Sequence, residues 1–181
     1  MYKAMQEEFQ KVAWRKVICN NYGHPKWIFI LRLAILERLA IKERLARWGV
    51  NIETTCALCQ QGIETVQHLF FECEMTGTIW QQLLHWQGIQ RKKLKWQEEL
   101  TWIQRVAKGR SGGAALCRMT LAAAVYYIWQ ERNNVIFKQE KRTAASIVRK
   151  IIQEIHLRAT MFPRLERTMT KANWYLDTME Q

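Results

Sequence analysis

Three cysteines and one histidine fall within 18 residues of this chain, at spacings that suit a metal site. Two residues separate Cys56 from Cys59, four separate His68 from Cys73, and eight lie between the two pairs. Cysteines two residues apart can share one tight turn, and a histidine and a cysteine five positions apart can meet the same point from a helix or its exit. Four such donors complete a tetrahedron, which is the arrangement of structural zinc sites. We therefore predict a CCHC zinc knuckle, with zinc as the cofactor.

Two other interpretations of the cluster stay open at this stage. Cysteines are often buried on packing grounds alone, although this spacing would rarely arise that way. A CxxC redox pair is the second alternative, but it lacks a βαβ setting and leaves His68 and Cys73 unexplained. If the four residues bind a metal, the protein fills every position, so we predict a structural metal with no catalytic role. The two remaining cysteines, Cys19 and Cys117, are predicted to be buried.

The rest of the chain predicts an all-α fold, a multi-helix domain with the zinc knuckle embedded in it. Only 2 prolines and 8 glycines are present, and no useful length of strand-like alternation occurs. We expect helices over residues 2–19, 27–48 in two pieces joined near Leu39, 76–86, 91–110, 114–137 and 143–161, and after Pro163. Gly49 and Gly88 are expected stops.

We divide the chain into a zinc-binding domain over residues 1–88 and a basic helical region over residues 89–181. The segment at residues 109–113, GRSGG, is expected to be a linker.

Positive charge concentrates after the cysteine cluster. Of a formal net charge of +12, residues 1–73 hold 10 basic and 7 acidic side chains, and residues 74–181 hold 18 and 9. Such an excess favours a polyanionic partner, meaning RNA or DNA. Basic residues beside aromatic ones suit phosphate contact with base stacking. The predicted nucleic-acid-binding residues are Arg91, Lys92, Lys93, Lys95, Trp96, Lys108 and Arg110.

A protein-interaction or assembly subunit is the alternative function, in which zinc would only stabilise the fold. Nine tryptophans in 181 residues give a composition typical of interface anchors. The helix at 114–137 would then be the contact face, unless it is a buried central helix. Similarly, Trp96 and Trp102 could simply pack into the core while the lysines before them face water.

The segment from His24 to Trp80 resembles the zinc-binding domain that follows the polymerase in plant non-LTR (LINE-type) retroelement reverse transcriptases. The resemblance covers roughly residues 10–86, and HLFFEC after CxxC is its most specific part. A weaker resemblance extends to about residue 140 through YYIWQERNNVIF at 126–137. The matching features are Pro25-Lys26, Trp27 to Leu36, Leu39 to Leu45, Gly49-Val50, the CxxC pair, Glu64, His68 to Cys73, and Trp80.

The resemblance implies a retrotransposon-derived module that contacts RNA or DNA. We predict no enzymatic activity, because the sequence holds a single aspartate, Asp177, whereas two-metal phosphoryl chemistry needs several converging carboxylates. A small-molecule substrate and a membrane partner are not expected. No signal peptide is recognisable at the start, which carries Glu7 and Glu8. The expected location is intracellular, with the nucleus favoured and an organelle or the cytoplasm left open.

Overall fold

The computed structural model describes residues 14–19 and 21–172, and every statement about structure refers to these residues. They form helices only, apart from one isolated bridge between Thr55 and Ile63. The all-α prediction is therefore confirmed. The helices are α1 (Arg15–Cys19), α2 (Pro25–Ile35), α3 (Lys42–Arg47), a π-helical segment (His68–Glu72), α4 (Glu74–Trp86), α5 (Trp96–Val106), α6 (Gly112–Lys138), α7 (Ala144–Ala159) and α8 (Pro163–Lys171).

Most predicted helices occur close to their predicted bounds. The segment at 27–48 is two helices, and α3 is followed by Gly49 at φ +83, a backbone conformation that glycine adopts at little cost. Helix α5 is shorter than predicted because residues 91–95 precede it as an irregular loop. The amino-terminal part of the helix predicted over 2–19 lies outside the described residues, as does Asp177.

Helix α6 is the centre of the fold. Its side chains are buried around most of its circumference, and α2, α7 and α8 pack against it. An apolar helix without a polar face needs such cover on all sides. Residues 114–125 are all buried, so the alternative of an exposed contact face is wrong for this part of the predicted helix, whereas Phe137 at its end is exposed. None of the described helices is long and apolar enough to cross a bilayer.

One core cluster includes side chains from both sides of residue 88. The division into domains at 1–88 and 89–181 stays a prediction from sequence. The expected linker at 109–113 contains the turn between α5 and α6 and the first residues of α6. A Cβ atom on Gly112 would overlap the Thr168 side chain, so α8 packs directly on the start of α6. The glycine permits this close approach.

Candidate metal centre

The segment that carries Cys56 and Cys59 is a tight loop closed by main-chain hydrogen bonds. The Cys56 amide donates to the Gly62 carbonyl at 3.0 Å, and the Gln60 amide donates to the Cys56 carbonyl at 3.0 Å. Gln60 and Gly62 have φ values of +57 and +64, which reverse the chain direction within a few residues. The loop therefore presents both cysteine sulfurs on one side.

His68 and Cys73 come together through the π-helical segment. In a π-helix the amide of residue i+5 donates to the carbonyl of residue i, and the Cys73 amide donates to the His68 carbonyl at 2.7 Å. A spacing of five residues therefore places the two side chains about one turn apart. The spacing is visible in the sequence but the helix type is not, because a single π-turn has no distinctive sequence pattern.

The four side chains converge on one point. One donor atom from each of Cys56, Cys59, His68 and Cys73 lies within 4.8 Å of all the others, and the Cys59 Sγ is 3.2 Å from the His68 Nε2. In a tetrahedral zinc site with sulfur bonds near 2.3 Å, neighbouring sulfurs are about 3.8 Å apart. The upper limit of 4.8 Å on the donor separations accommodates this value. Three thiols and an imidazole are also the donors that a borderline-soft dication prefers, so the residues present fit a metal.

The protonation of the cluster supports the same conclusion. A hydrogen bond from the Cys56 thiol lowers the pKa of Cys73 to about 5, and that bond raises the pKa of Cys56. Burial raises the pKa of Cys59. Three thiols so close together cannot all become thiolates in a buried site without a positive charge between them, and a bound dication supplies that charge.

Buried apolar and aromatic residues pack next to the metal centre. Leu69, Phe70 and Phe71, which follow the histidine ligand candidate, have no exposed surface. The Phe71 ring lies 5.0 Å from the Trp80 ring, and the Phe70 ring lies 5.2 Å from the Trp96 ring. Such close offset or tilted packing adds to the burial of apolar area. The orientation of the π-helical segment is thereby fixed on the core.

Glu64 connects the metal centre to two other parts of the fold. Its carboxylate is fully buried and accepts from the Lys42 amide at 3.0 Å and from the Ala57 amide, inside the CxxC loop, at 3.3 Å. It also accepts from the Arg132 guanidinium, at 3.1 Å from Nε and 2.7 Å from Nη2. Arg132 donates further to the Ala40 carbonyl at 3.3 Å. A single carboxylate thus joins α3, the CxxC loop and the central helix.

The loop between α6 and α7 also contacts the centre. The Lys141 ammonium donates to the Leu58 carbonyl, within the CxxC loop, at 2.7 Å. The buried Glu131 carboxylate accepts from the Arg142 amide at 2.6 Å and fixes that loop on α6. Residues far along the chain therefore hold the CxxC loop in place, and neither contact had a recognisable signal in the sequence.

Residues 1–80 match the model of the family described as zinc-binding in reverse transcriptase. The match spans all four candidate ligands and Glu64. Residues 1–80 are therefore similar to the zinc-binding domain of reverse transcriptases. The part of a reverse transcriptase that the family represents is the zinc-binding one, and the match includes no catalytic domain. No curated protein and no solved structure matches the chain.

The region that matches the family is completed by residues beyond the match. Arg132, which pairs with Glu64, and Lys141, which contacts the CxxC loop, both lie after residue 80. Arg132 belongs to YYIWQERNNVIF, the stretch that carried the weaker resemblance. The structure therefore gives a physical reason for the two motifs to occur in one chain, since they share a buried ion pair.

The residues predicted to bind nucleic acid fall into two groups, and members of the first are used by the fold itself. Trp96 has no exposed surface, so the prediction that its ring stacks on bases is wrong. Arg91 forms a bidentate pair with the buried Glu99 and lies 3.8 Å from the Trp102 ring centroid. Lys93 donates to the Phe71 carbonyl at 2.7 Å. These side chains attach the 91–95 loop to the core.

The second group, Lys92, Lys95, Lys108 and Arg110, is exposed. The first two precede α5 and the last two follow it, so about 16 Å of helix separates the pairs. Lys108 and Arg110 line a cleft of about 520 Å³. Cys19 lines the same cleft and is exposed, which corrects the prediction that it is buried. Cys117 is buried, as predicted.

Proposed function

We propose that the chain is a non-catalytic module in which one zinc ion stabilises the fold and exposed basic side chains bind RNA or DNA. The ligands in this proposal are Cys56, Cys59, His68 and Cys73. Nuclear nucleic acid is the partner that the basic charge favours, and the retroelement family gives it a context. The observation that carries the proposal is that a closed four-donor site occurs together with exposed cations that have no partner among the described residues.

The identity of the metal follows from the donors. A Cys₃His set is typical of structural zinc sites. Zinc in such sites is bound tetrahedrally by four protein donors, and this chain supplies four. With four protein donors, no position remains at which a substrate or a reactive water could bind. Zinc bound here would supply folding free energy, because the thiolates that it neutralises are buried.

Native mass spectrometry tests the metal directly. The account predicts one zinc per chain in the wild type and in Cys117→Ser, whose thiol is remote from the cluster. It predicts no bound zinc in Cys59→Ser. Unchanged metal content in Cys59→Ser would refute the site.

Nucleic-acid binding is supported by the exposed cations at both ends of α5. Phosphate contacts by lysine and arginine release counterions, so the affinity falls with salt at a slope set by the number of contacts. Fluorescence anisotropy with single-stranded RNA, duplex DNA and a polyanion without bases measures that slope and the preference. The quadruple variant Lys92→Gln/Lys95→Gln/Lys108→Gln/Arg110→Gln should bind more weakly with a shallower slope. Affinity for both nucleic acids no higher than for the polyanion would overturn the proposal.

A role as an assembly subunit is the second candidate, and exposed aromatic residues favour it. Phe29 is 59% exposed, Trp48 62% and Phe137 77%. Aromatic side chains of this kind act as anchors at protein interfaces. Phe29→Ser and Phe137→Ser variants that abolish a complex while keeping nucleic-acid affinity would support this function.

A further inference from the structure

A cleft between α1, the α5–α6 turn and α8 gathers basic side chains from distant parts of the sequence. Lys16 comes from α1, Lys108 and Arg110 from the turn, and Arg164 from α8. Arg118 of α6 adds a fifth cation, and the described residues that line the space include no acidic side chain. Only Lys108 and Arg110 were predicted as binding residues, because the others are too far apart in the sequence to form a pattern.

Four of these cations have no partner within the described residues. Neither a hydrogen bond nor an ion pair involves the side chains of Lys16, Lys108, Arg110 or Arg164 there, whereas Arg47, Arg91, Arg132 and Lys150 each pair with a glutamate. Like charges that converge on one space raise its potential and repel one another. An anion in the cleft would relieve this repulsion and would gain several charge-assisted hydrogen bonds.

Hydrogen bonds of buried residues fix the shape of the cleft. Arg118 is only 4% exposed and donates to the carbonyls of Ala107 and Gly109, which fixes the turn that carries Lys108. The Asn21 side-chain amide donates to the Arg118 carbonyl at 2.8 Å and connects the segment after α1 to α6. The contact between Gly112 and Thr168 sets the position of α8 and hence of Arg164. The cations are therefore brought together before any ligand binds, which lowers the cost of binding.

An exposed aromatic ring completes the lining. Tyr22 is 37% exposed, and its ring packs edge-on against Phe162 with centroids 4.9 Å apart. The Arg158 guanidinium donates to the Tyr22 carbonyl at 2.9 Å and holds the residue at the cleft. A volume of about 520 Å³ exceeds what a lone phosphate fills and suits a phosphate with its attached nucleoside. Cations next to an exposed ring are typical of sites that track a nucleic acid strand.

We propose that this cleft binds a phosphate group of a nucleic acid strand, through Lys16, Lys108, Arg110 and Arg164. The inference deepens the proposed function and rests on it for the source of the phosphate. The same chemistry would accept a free phosphate or pyrophosphate, so the experiment separates these sources.

Cys19 provides a reporter inside the cleft, because it is exposed and the other four cysteines are buried or belong to the metal centre. The labelling rate of Cys19 by the neutral reagent N-ethylmaleimide is measured in the metal-bound full chain by peptide mass spectrometry. The arms contain inorganic phosphate, pyrophosphate, or a single strand of about 12 nucleotides with or without a 5′ phosphate. Ionic strength is equal in all arms.

With the oligonucleotide at roughly ten times its dissociation constant, labelling should slow about tenfold, because only the free protein reacts. Protection by both oligonucleotides indicates backbone phosphates, and protection by the phosphorylated strand alone indicates a terminal one. The Lys108→Gln/Arg110→Gln variant should lose the protection. The charge-matched Lys92→Gln/Lys95→Gln variant should retain it.

The outcomes separate this inference from the proposed function. Oligonucleotide binding in the anisotropy assay without protection of Cys19 would overturn the cleft site and leave the proposed function standing. Protection by phosphate or pyrophosphate, with no oligonucleotide binding, would assign the cleft to a free anion and overturn the strand as its ligand. Equal protection in the Lys108→Gln/Arg110→Gln variant would also overturn the site.

Discussion

The metal centre and the basic cleft use their polar groups in opposite ways. At the centre, four donor atoms face one another and the Glu64 carboxylate accepts hydrogen bonds from three parts of the chain. In the cleft, four cations converge, and no carboxylate lies among the described residues that line it. A site whose polar groups are all satisfied by the chain and a bound metal serves to stabilise the fold. A site left incomplete has charge available for a ligand.

The basic residues before and after α5 show the same difference between satisfied and available charge. Arg91 and Lys93 look like surface charge in the sequence, yet both are bonded to the protein's own acceptors. Lys108 and Arg110 have no such partners among the described residues. A count of basic residues therefore overstates the charge that a nucleic acid would meet.

Loss of the metal should unfold more of the protein than the CxxC loop alone. Structural zinc contributes on the order of 10 kcal/mol in small domains, which is comparable to the whole stability of a typical protein. Chelation, or Cys56→Ser, should therefore remove hydrogen-exchange protection from α6 as well as from α4, because the two share one core. Protection of α6 that survives in the metal-free protein would show that the two regions are stable independently.

Breaking the buried ion pair should cost less than losing the metal but more than any surface change. Glu64→Gln leaves the Arg132 guanidinium buried without a counter-charge, and we expect the free energy of unfolding to fall by about 3–5 kcal/mol. Denaturant titration measures the change. Glu43→Gln is the control, since its pair with Arg47 is exposed and should contribute less than about 0.5 kcal/mol. Similar values for the two variants would contradict the role assigned to Glu64.

Arg91→Gln should destabilise the protein although its position looks like surface in the sequence. It leaves the buried Glu99 without its cation, and we expect a loss of about 2–3 kcal/mol, reduced from the fully buried case because Arg91 is partly exposed. Lys92→Gln, one residue along, should change the stability by less than about 0.5 kcal/mol. Thermal unfolding of both variants checks the difference, and equal midpoints would argue against a structural role for Arg91.

Removing the cleft cations should have the smallest effect on stability. The Lys16→Gln/Lys108→Gln/Arg110→Gln/Arg164→Gln variant loses no described interaction and relieves repulsion between like charges. Its free energy of unfolding should stay within about 0.5 kcal/mol of the wild type or rise slightly. A marked destabilisation would show that these side chains have partners within the fold.

Much of the metal centre could be predicted because its information is local. The spacing of Cys56, Cys59, His68 and Cys73 lies within 18 residues, and the helix boundaries follow Pro25, Gly49 and Pro163. The π-helical segment could not be predicted, since it differs from an α-helix by one hydrogen-bond register. The pairing of Glu64 with Arg132 spans 68 positions, and only the fold brings them together.

The proposed nucleic-acid-binding residues were harder to predict, because they come together only through the fold. Lysine and arginine beside tryptophan form a local pattern that nucleic-acid sites and well-packed loops share, and at 91–96 the structure is a well-packed loop. The burial of Trp96 followed from its contacts with Phe70 and Phe71, which the sequence does not specify. Lys16, Arg118 and Arg164 join Lys108 and Arg110 only through the packing of α1, α6 and α8.

The salt dependence of single-stranded RNA binding tests the central contrast most directly. Each phosphate contact contributes about 0.7 to the log–log slope for a single strand, so Lys108→Gln/Arg110→Gln should reduce its magnitude by about 1.4. Arg91→Gln, measured where it is fully folded, should leave the slope unchanged, and Lys92→Gln/Lys95→Gln should reduce it less than the cleft variant does. A wild-type slope in Lys108→Gln/Arg110→Gln, together with a reduced slope in Arg91→Gln, would contradict the account.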